Sequence, residues 1–358
     1  MKKVLFVAAT LGGGGAERVM LNLANAMYEK GNDVVVLQTA VDKNPNAKYA
    51  INEGIIVENI KCNYTNKIKR ILYKYQHIRK FLKKYERYTV VSFLPDVNIY
   101  CILASIGLKN RIVVSERNDP NREPGKALVR KIRDISYNLA DYIVFQTKDA
   151  QNYFSKRISE KSCIIPNPLM NSQIPILNFE EDRRNVIIMV CRVKPQKNVK
   201  MMVDAINLIK EELGDYTVEI YGDGNLYRDN LIKRTKELGI DNIVKFMGSS
   251  NNIYDIMKKS KIYVSTSDYE GISNTMLEAL AIGLPSIVTD CPIGGAKMFI
   301  NNNENGILIP VGDSKRLADE LIRLIKDEEL QRRLSSNSIR IREKLDISII
   351  CEQWLAVL

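Results

Sequence analysis

Residues 3–18 read Lys3-Val4-Leu5-Phe6-Val7-Ala8-Ala9-Thr10-Leu11-Gly12-Gly13-Gly14-Gly15-Ala16-Glu17-Arg18. An apolar run, a glycine loop and the start of an amphipathic helix follow one another without a break. The run Val4–Ala9 is too short for a signal-peptide core or a membrane span, so it reads as the first buried strand of a sheet. Four glycines let backbone approach a ligand closely, and the helix N-terminus behind them favours an anion. The loop departs from the G-x-G-x-x-G register of a dinucleotide site. The second strand ends Leu37-Gln38-Thr39 without the acid that would hold a ribose, which argues against a nicotinamide enzyme.

Outward from this unit the same alternation repeats. Strands are expected at 34–39, 89–93, 111–115 and 142–146, and helices at 17–30, 68–85, 98–106, 126–139 and 148–154. Val- and Ile-rich strands alternating with helices predict a parallel, doubly wound sheet. Pro166-Asn167-Pro168 and a polar segment to about Arg184 interrupt the pattern. It then restarts, with strands expected at 186–191, 217–221, 243–247, 261–265 and 285–289. The matching helices fall at 201–212, 226–238, 252–258, 274–281 and 314–327. The expectation is an α/β chain of two Rossmann-like domains facing across a cleft. The first spans 1–168, and 169–184 is a linker. The second spans 185–342, and a C-terminal segment, 343–358, can return to the first. Ligands of open α/β sheets bind beyond the carboxyl ends of the strands, so the loops after the strands are the places to inspect.

With 358 residues the chain is long enough for two such cores. Its six cysteines are scattered without paired spacing, which gives neither a disulfide framework nor a zinc site and fits a reducing cytosol. The formal charge of +11 points to an anionic partner: nucleic acid, an anionic membrane surface or a phosphorylated substrate. Between Lys61 and Tyr88 lie ten Lys or Arg and one acid, Glu86. Ile68, Ile71, Leu72, Tyr75, Ile78, Phe81, Leu82 and Tyr85 recur there at helical spacing. One apolar face is expected to pack on its own domain. Lys69, Arg70, Lys80, Lys83 and Lys84, on the basic side, are candidates to face anionic headgroups. No aromatic-interleaved basic sheet or zinc module accompanies the charge, so nucleic acid is not expected.

In the second half, Cys191-Arg192-Val193-Lys194-Pro195-Gln196-Lys197-Asn198 follows that half's first strand. Arg192 and Lys197 can hold a diphosphate and neutralise the charge that grows on it as it leaves, or they are a solvated basic loop. Gly222-Asp223-Gly224 is a tight turn first. At Met247 and Gly248, backbone groups can read a nucleobase. The most informative stretch runs from Ser265 to Leu280. Glu270-Gly271 form a loop beyond a strand, Ile272, Ser273 and Asn274 open the next helix, and Glu278 stands on that helix. Backbone N–H groups between the two carboxylates can face a phosphate, while each carboxylate can accept hydrogen bonds from hydroxyls.

In order along the chain, Gly14-Gly15-Ala16-Glu17-Arg18, Arg192-x4-Lys197, Gly222-Asp223-Gly224 and Glu270-x7-Glu278 resemble the retaining glycosyltransferases of family four, which have the two-Rossmann fold called GT-B. The resemblance implies that Glu270 contacts the donor sugar and Glu278 the ribose. It implies that Arg192 and Lys197 bind the diphosphate with backbone at Gly271 to Asn274, and that Gly14, Gly15 and Glu17 close the site. Such enzymes need no metal or cofactor, and no Asp-x-Asp motif occurs here. Many relatives carry a histidine where this chain has Ser115-Glu116-Arg117-Asn118, and the one histidine, His77, falls in the basic helix. Glu116 and Arg117 are therefore the acceptor-side candidates. That form, with Ser92-Phe93-Leu94-Pro95 upstream, is similar to enzymes that extend lipid-linked oligosaccharides of capsules, O-antigens or glycoproteins. The expected activity is transfer of a hexose or N-acetylhexosamine from a UDP-sugar to an undecaprenyl-diphosphate-linked saccharide, at the inner face of the cell membrane. A nucleotide-sugar epimerase or hydrolase of the same fold is the alternative.

Overall fold

Strands buried on both faces need helices on both faces, and nearly every Val- and Ile-rich run of this chain is followed by one. The structure, a computed structural model, describes residues 1–40, 49–60, 62 and 64–358. They divide into two compact units, Met1–Pro168 with Asp346–Leu358, and Leu169–Leu345. Lys61, which opens the basic stretch, lies outside the described residues.

In the first unit the strands are β1 (Lys3–Ala8), β2 (Asp33–Gln38), β3 (Ile56–Asn59), β4 (Thr89–Phe93), β5 (Ile112–Ser115), β6 (Tyr142–Phe145) and β7 (Ser162–Ile164). The order is β3-β2-β1-β4-β5-β6-β7 and all pairs are parallel, with Val4 of β1 between Val34 and Thr89. The order reverses between β1 and β4, which makes the glycine loop after β1 the switch point of this sheet. Its helices are α1 (Gly15–Glu29), α2 (Lys67–Lys84), α3 (Pro95–Ser105), α4 (Ala127–Ser136), α5 (Lys148–Tyr153) and α6 (Lys156–Ser159). Helix α1 buries Val19, Met20, Leu23, Ala24 and Met27, one face at helical spacing.

Helix α2 departs from the expectation. Asn66 caps it by accepting from the backbone N–H of Ile68 and Lys69, and Ile78, Phe81 and Leu82 are buried. Ile68, Ile71 and Leu72, on the same expected face, are exposed. The cause is length. At about 1.5 Å per residue, the eighteen residues of α2 are longer than the eleven of its neighbour α3, so α3 cannot cover the whole apolar face. His77 donates from Nδ1 to the Tyr73 carbonyl at 2.8 Å and packs on the Tyr73 ring, a packing role.

In the second unit the strands are β8 (Val186–Val190), β9 (Thr217–Tyr221), β10 (Val244–Gly248), β11 (Ile262–Ser265), β12 (Ser286–Thr289) and β13 (Ile307–Ile309). They are parallel in the order β10-β9-β8-β11-β12-β13, and the switch lies between β8 and β11. The helices are α7 (Val199–Ile209), α8 (Leu226–Glu237), α9 (Ile253–Lys258), α10 (Asn274–Ile282), α11 (Ser314–Lys326), α12 (Glu328–Ser338) and α13 (Ile341–Leu345). One apolar core runs from Ile187 on β8 through Met202 and Ile206 on α7 to Leu317 and Leu321 on α11.

Segment 169–184, expected as a linker, runs along this second unit. Leu177 N–H donates to the Ile282 carbonyl at 2.7 Å, Arg184 N–H to that of Lys259 at 2.9 Å, and Ile174 is buried. The last helix, α14 (Ile347–Val357), belongs to the first unit and packs on α1. Trp354 is fully buried there with its ring centroid 5.5 Å from Phe93, and Lys30 pairs with Glu352 at 2.5 Å. Strands β3, β7 and β13 and helices α6, α12 and α13 have no counterpart in the sequence reading.

Candidate functional site

The switch point of the second sheet brings together the loops that follow β8 and β11. Asn198 ends the first loop in the left-handed conformation, φ 42° and ψ 46°, which asparagine tolerates better than most residues. Its side chain accepts from Met201 N–H to cap α7 and donates to Asp268 at 2.7 Å. Thr266 donates to the carbonyls of Lys197 and Asn198 at 2.9 and 3.0 Å, and Gln196 donates to that of Tyr269 at 2.9 Å. Asp268 N–H returns a bond to the Gln196 carbonyl. The two loops are thus tied side by side before any ligand arrives.

On this frame Lys197 pairs with Glu270, and Ser267 donates to the same carboxylate oxygen at 3.0 Å. The side chains of Lys197 and Glu270 keep 15% and 20% of their exposure, enough for a ligand to reach both. Arg192 is exposed and makes no ion pair among the described residues. A partly desolvated ion pair with a second cation beside it on the same loop suits an anion. The ligand can take over Lys197 while Glu270 turns to hydroxyl donors. Beyond Glu270, Ser273 caps α10 by accepting from Met276 N–H, and the positive end of that helix follows the Glu270 loop directly.

Glu278 lies one turn into α10, buried, and accepts from the Tyr254 hydroxyl of α9 at 3.1 Å. Met247 is exposed at the end of β10, and Gly248 takes φ +74°. Gly222 serves packing: its N–H donates to the Gly248 carbonyl at 2.8 Å, and a Cβ there would stand 2.0 Å from the Cys191 carbonyl oxygen.

The loop after β12 completes the recess around Glu270, and the sequence reading did not single it out. Cys291 and Ala296 line the recess with Ser267 and Thr289. A Cβ on Gly295 would lie 1.7 Å from the carbonyl oxygen of Gly271, so only glycine lets these two loops touch. Ile293 sits at φ +77°, costly for a β-branched residue and typical of backbone held for function. The Gly294-Gly295 pair directly after a strand was the available signal. Burial, with Glu270 adding to it, pushes the Cys291 thiol up to about 12, and burial raises Cys191 to about 12 as well. Both stay protonated near neutrality, which removes them as nucleophiles.

In the first unit, Gly14 precedes α1, and Glu17 folds its carboxylate over that glycine while accepting from Thr10 at 3.1 Å. Beyond β5, Glu116 and Arg117 are buried. Glu116 accepts from the Tyr137 hydroxyl at 3.0 Å and lies 3.7 Å from Arg133. Asn98 donates to Tyr137 and to the Ser115 carbonyl, and accepts from Ser92. Arg117 bonds Asn167 and lies over the Phe93 ring at 4.5 Å. Desolvation raises the Glu116 carboxyl to about 7, against the pull of Arg133, and lowers Arg117 to about 9. Glu116 Oε1 and Arg117 Nε have no partner, so both residues carry uncompensated polar capacity below the surface.

Two family descriptions match the chain in tandem: Glycosyltransferase Family 4 over residues 13–169 and Glycosyl transferases group 1 over residues 173–340. The chain belongs to this glycosyltransferase family. It is 29% identical, over 100% of its length and 98% of the relative, to the GalNAc-alpha-(1->4)-GalNAc-alpha-(1->3)-diNAcBac-PP-undecaprenol alpha-1,4-N-acetyl-D-galactosaminyltransferase of Campylobacter jejuni. A second C. jejuni protein, N-acetylgalactosamine-N,N'-diacetylbacillosaminyl-diphospho-undecaprenol 4-alpha-N-acetylgalactosaminyltransferase, is 28% identical over 96% of the chain and 95% of that protein. Among solved structures, Anabaena HepE in complex with UDP and glucose aligns over 99% of both chains with TM-score 0.84 and 19% identity. That likeness establishes the GT-B fold of this glycosyltransferase. Its Lys197–Glu270 pair stands at the switch point of the second Rossmann-like unit, where the fold places ligands.

Proposed function

We propose that this glycosyltransferase moves a hexose or N-acetylhexosamine from a UDP-sugar to an undecaprenyl-diphosphate-linked saccharide, with retention of anomeric configuration and without a metal. The observation that carries the reading is the accessible Lys197–Glu270 pair beside the unpaired Arg192, in front of the α10 N-terminus. The names of the two C. jejuni relatives support a lipid-diphosphate acceptor, and HepE with UDP and glucose supports a uridine donor.

In this reading Arg192, Lys197 and the backbone of Gly271 to Asn274 hold the donor diphosphate. The bond from anomeric carbon to diphosphate oxygen breaks, and those cations take up the charge left on the leaving group. The acceptor hydroxyl attacks from the same face, and its proton passes to the leaving phosphate oxygen. Glu270 orients the sugar hydroxyls and steadies positive character at the anomeric carbon. Glu278 binds the ribose, the backbone at Met247 and Gly248 reads the base, and Gly14, Gly15 and Glu17 also belong to donor recognition. Glu116 and Arg117 shape the acceptor side from beneath.

Lys69, Arg70, Lys80 and Lys83 of α2 hold the protein peripherally on the cytoplasmic face of the membrane, whereas Lys84, expected among them, is paired with Glu58. No helix of the described residues is long and apolar enough to cross one. The test follows UDP release from a panel of UDP-sugars with and without lipid-diphosphate saccharides. Release requires the acceptor and falls in Glu270→Ala. Acceptor-independent turnover would instead make the protein a hydrolase or epimerase of this fold.

A further inference from the structure

Helix α4 carries a second amphipathic signature, on the side away from its buried Arg133 and Ser136. Leu128, Ile132, Ile135 and Leu139, the last in the turn that follows α4, recur at helical spacing and stand 70%, 42%, 62% and 58% exposed. Four large aliphatic side chains in one stripe exceed the scattered exposure ordinary for a surface. Exposed cations stand on α4 and just before it, at Arg122, Lys126 and Lys131. Helix α3 packs between α4 and α2, and its end exposes Ile106. On the far side of α3 the uncovered turns of α2 present Ile68, Ile71 and Leu72 among Lys67, Lys69 and Arg70. The helices α2 and α4 on either side of α3 therefore repeat one pattern, exposed aliphatic side chains together with exposed cations.

We infer that this flank seats in the headgroup–acyl boundary of an anionic bilayer, with the α4 stripe as the part that enters the hydrocarbon and the cations as the part that meets the headgroups. The inference rests on the peripheral-membrane reading above and gives it a depth and an orientation. Charge selects the occupant. Exposed Arg122, Lys126 and Lys131 near the α4 stripe, and Lys67, Lys69 and Arg70 of α2, which carries no carboxylate, all have the sign that an anionic lipid surface attracts. An anionic lipid surface satisfies both the aliphatic stripe and the cations. The headgroup contact is salt-sensitive and the aliphatic contact is not, so the two halves of the surface separate experimentally.

Full-length protein is floated with vesicles of phosphatidylglycerol and phosphatidylcholine, and the Ile135→Trp variant is titrated with vesicles containing acyl-brominated lipid. Trp354 is buried, so the wild-type emission serves as the blank. The expected results are a blue shift with quenching in Ile135→Trp, and a loss of vesicle partition of roughly tenfold or more in Leu128→Asn/Ile135→Asn. Both substituted positions are exposed, and UDP release with a water-soluble acceptor saccharide stays at the wild-type level in the double variant. Unquenched emission, or a double variant that floats as well as wild type, would overturn the inference. So would a wild-type dimer in sedimentation velocity that the double variant abolishes, since the stripe would then be an interface between copies. Quenching without transfer to any acceptor would support the lipid seat while sinking the transferase reading alone.

Discussion

The ends of the strands in the two units make opposite uses of charge. In the first unit Glu116, Arg117 and Arg133 are sealed below the surface, and neighbours such as Tyr137, Asn98 and Asn167 hold them. In the second, Lys197 and Glu270 meet at the rim of a recess and Arg192 stands open. Sealed charges cannot exchange partners, so they fix a shape. A pair at a rim can exchange, so a ligand's phosphate and hydroxyls can replace protein for protein contacts at little reorganisation cost. The same fold thus builds a rigid wall on one unit and a replaceable ion pair on the other.

The contrast breaks most severely at Arg133, whose guanidinium donates to the Glu123 and Pro120 carbonyls and to Asp134. Arg133→Met strands Glu116 and those carbonyls, and urea unfolding is expected to show a loss of about 3–5 kcal/mol. Lys197→Ala acts on the rim instead. Initial rates of sugar transfer should fall roughly 10²–10³-fold while the unfolding midpoint barely moves.

A subtler break comes through pH. The Glu116 carboxyl is raised to about 7 in the folded state, so between its unfolded value and pH 7 the native protein holds the proton more tightly. The native state is therefore favoured at low pH, and that advantage drains away as pH climbs from about 4.5 to 7. Glu116→Gln has no proton to lose. It should flatten the decline in stability across that window by on the order of 2 kcal/mol, measured by unfolding at pH 5 and 8. The smallest effect sharpens the comparison. Ser267→Ala removes one hydrogen bond to Glu270 and should reduce kcat by about 3–10-fold with an unchanged unfolding midpoint.

Much of this was legible in the chain. The alternation of Val- and Ile-rich runs with helices located strands such as β4 and β9, and the ordered motifs singled out Lys197 and Glu270, which the structure pairs. What escaped was short or conditional. Strand β13 is three residues and β7 is three, below the length at which alternation has a period to show. Strand β3 sits at the sheet edge and is half exposed, so it lacks the apolar continuity of its neighbours. Periodicity identified the apolar side of α2 but not how far along it a partner reaches. The Cys291–Ala296 loop depends on a contact between backbones distant in sequence, and residue types encode that only through glycine.

The close approach of Gly295 to Gly271 sets a boundary on how this protein can diversify. The carbonyl of Gly271 rests where any other side chain at 295 would begin, so the two loops shift as a single block. Variation at Ser267, Thr289 or Cys291 can reshape the recess one atom at a time. Variation at 295 moves Glu270 itself. A library aimed at reshaping this recess should therefore randomise the first three positions and keep both glycines.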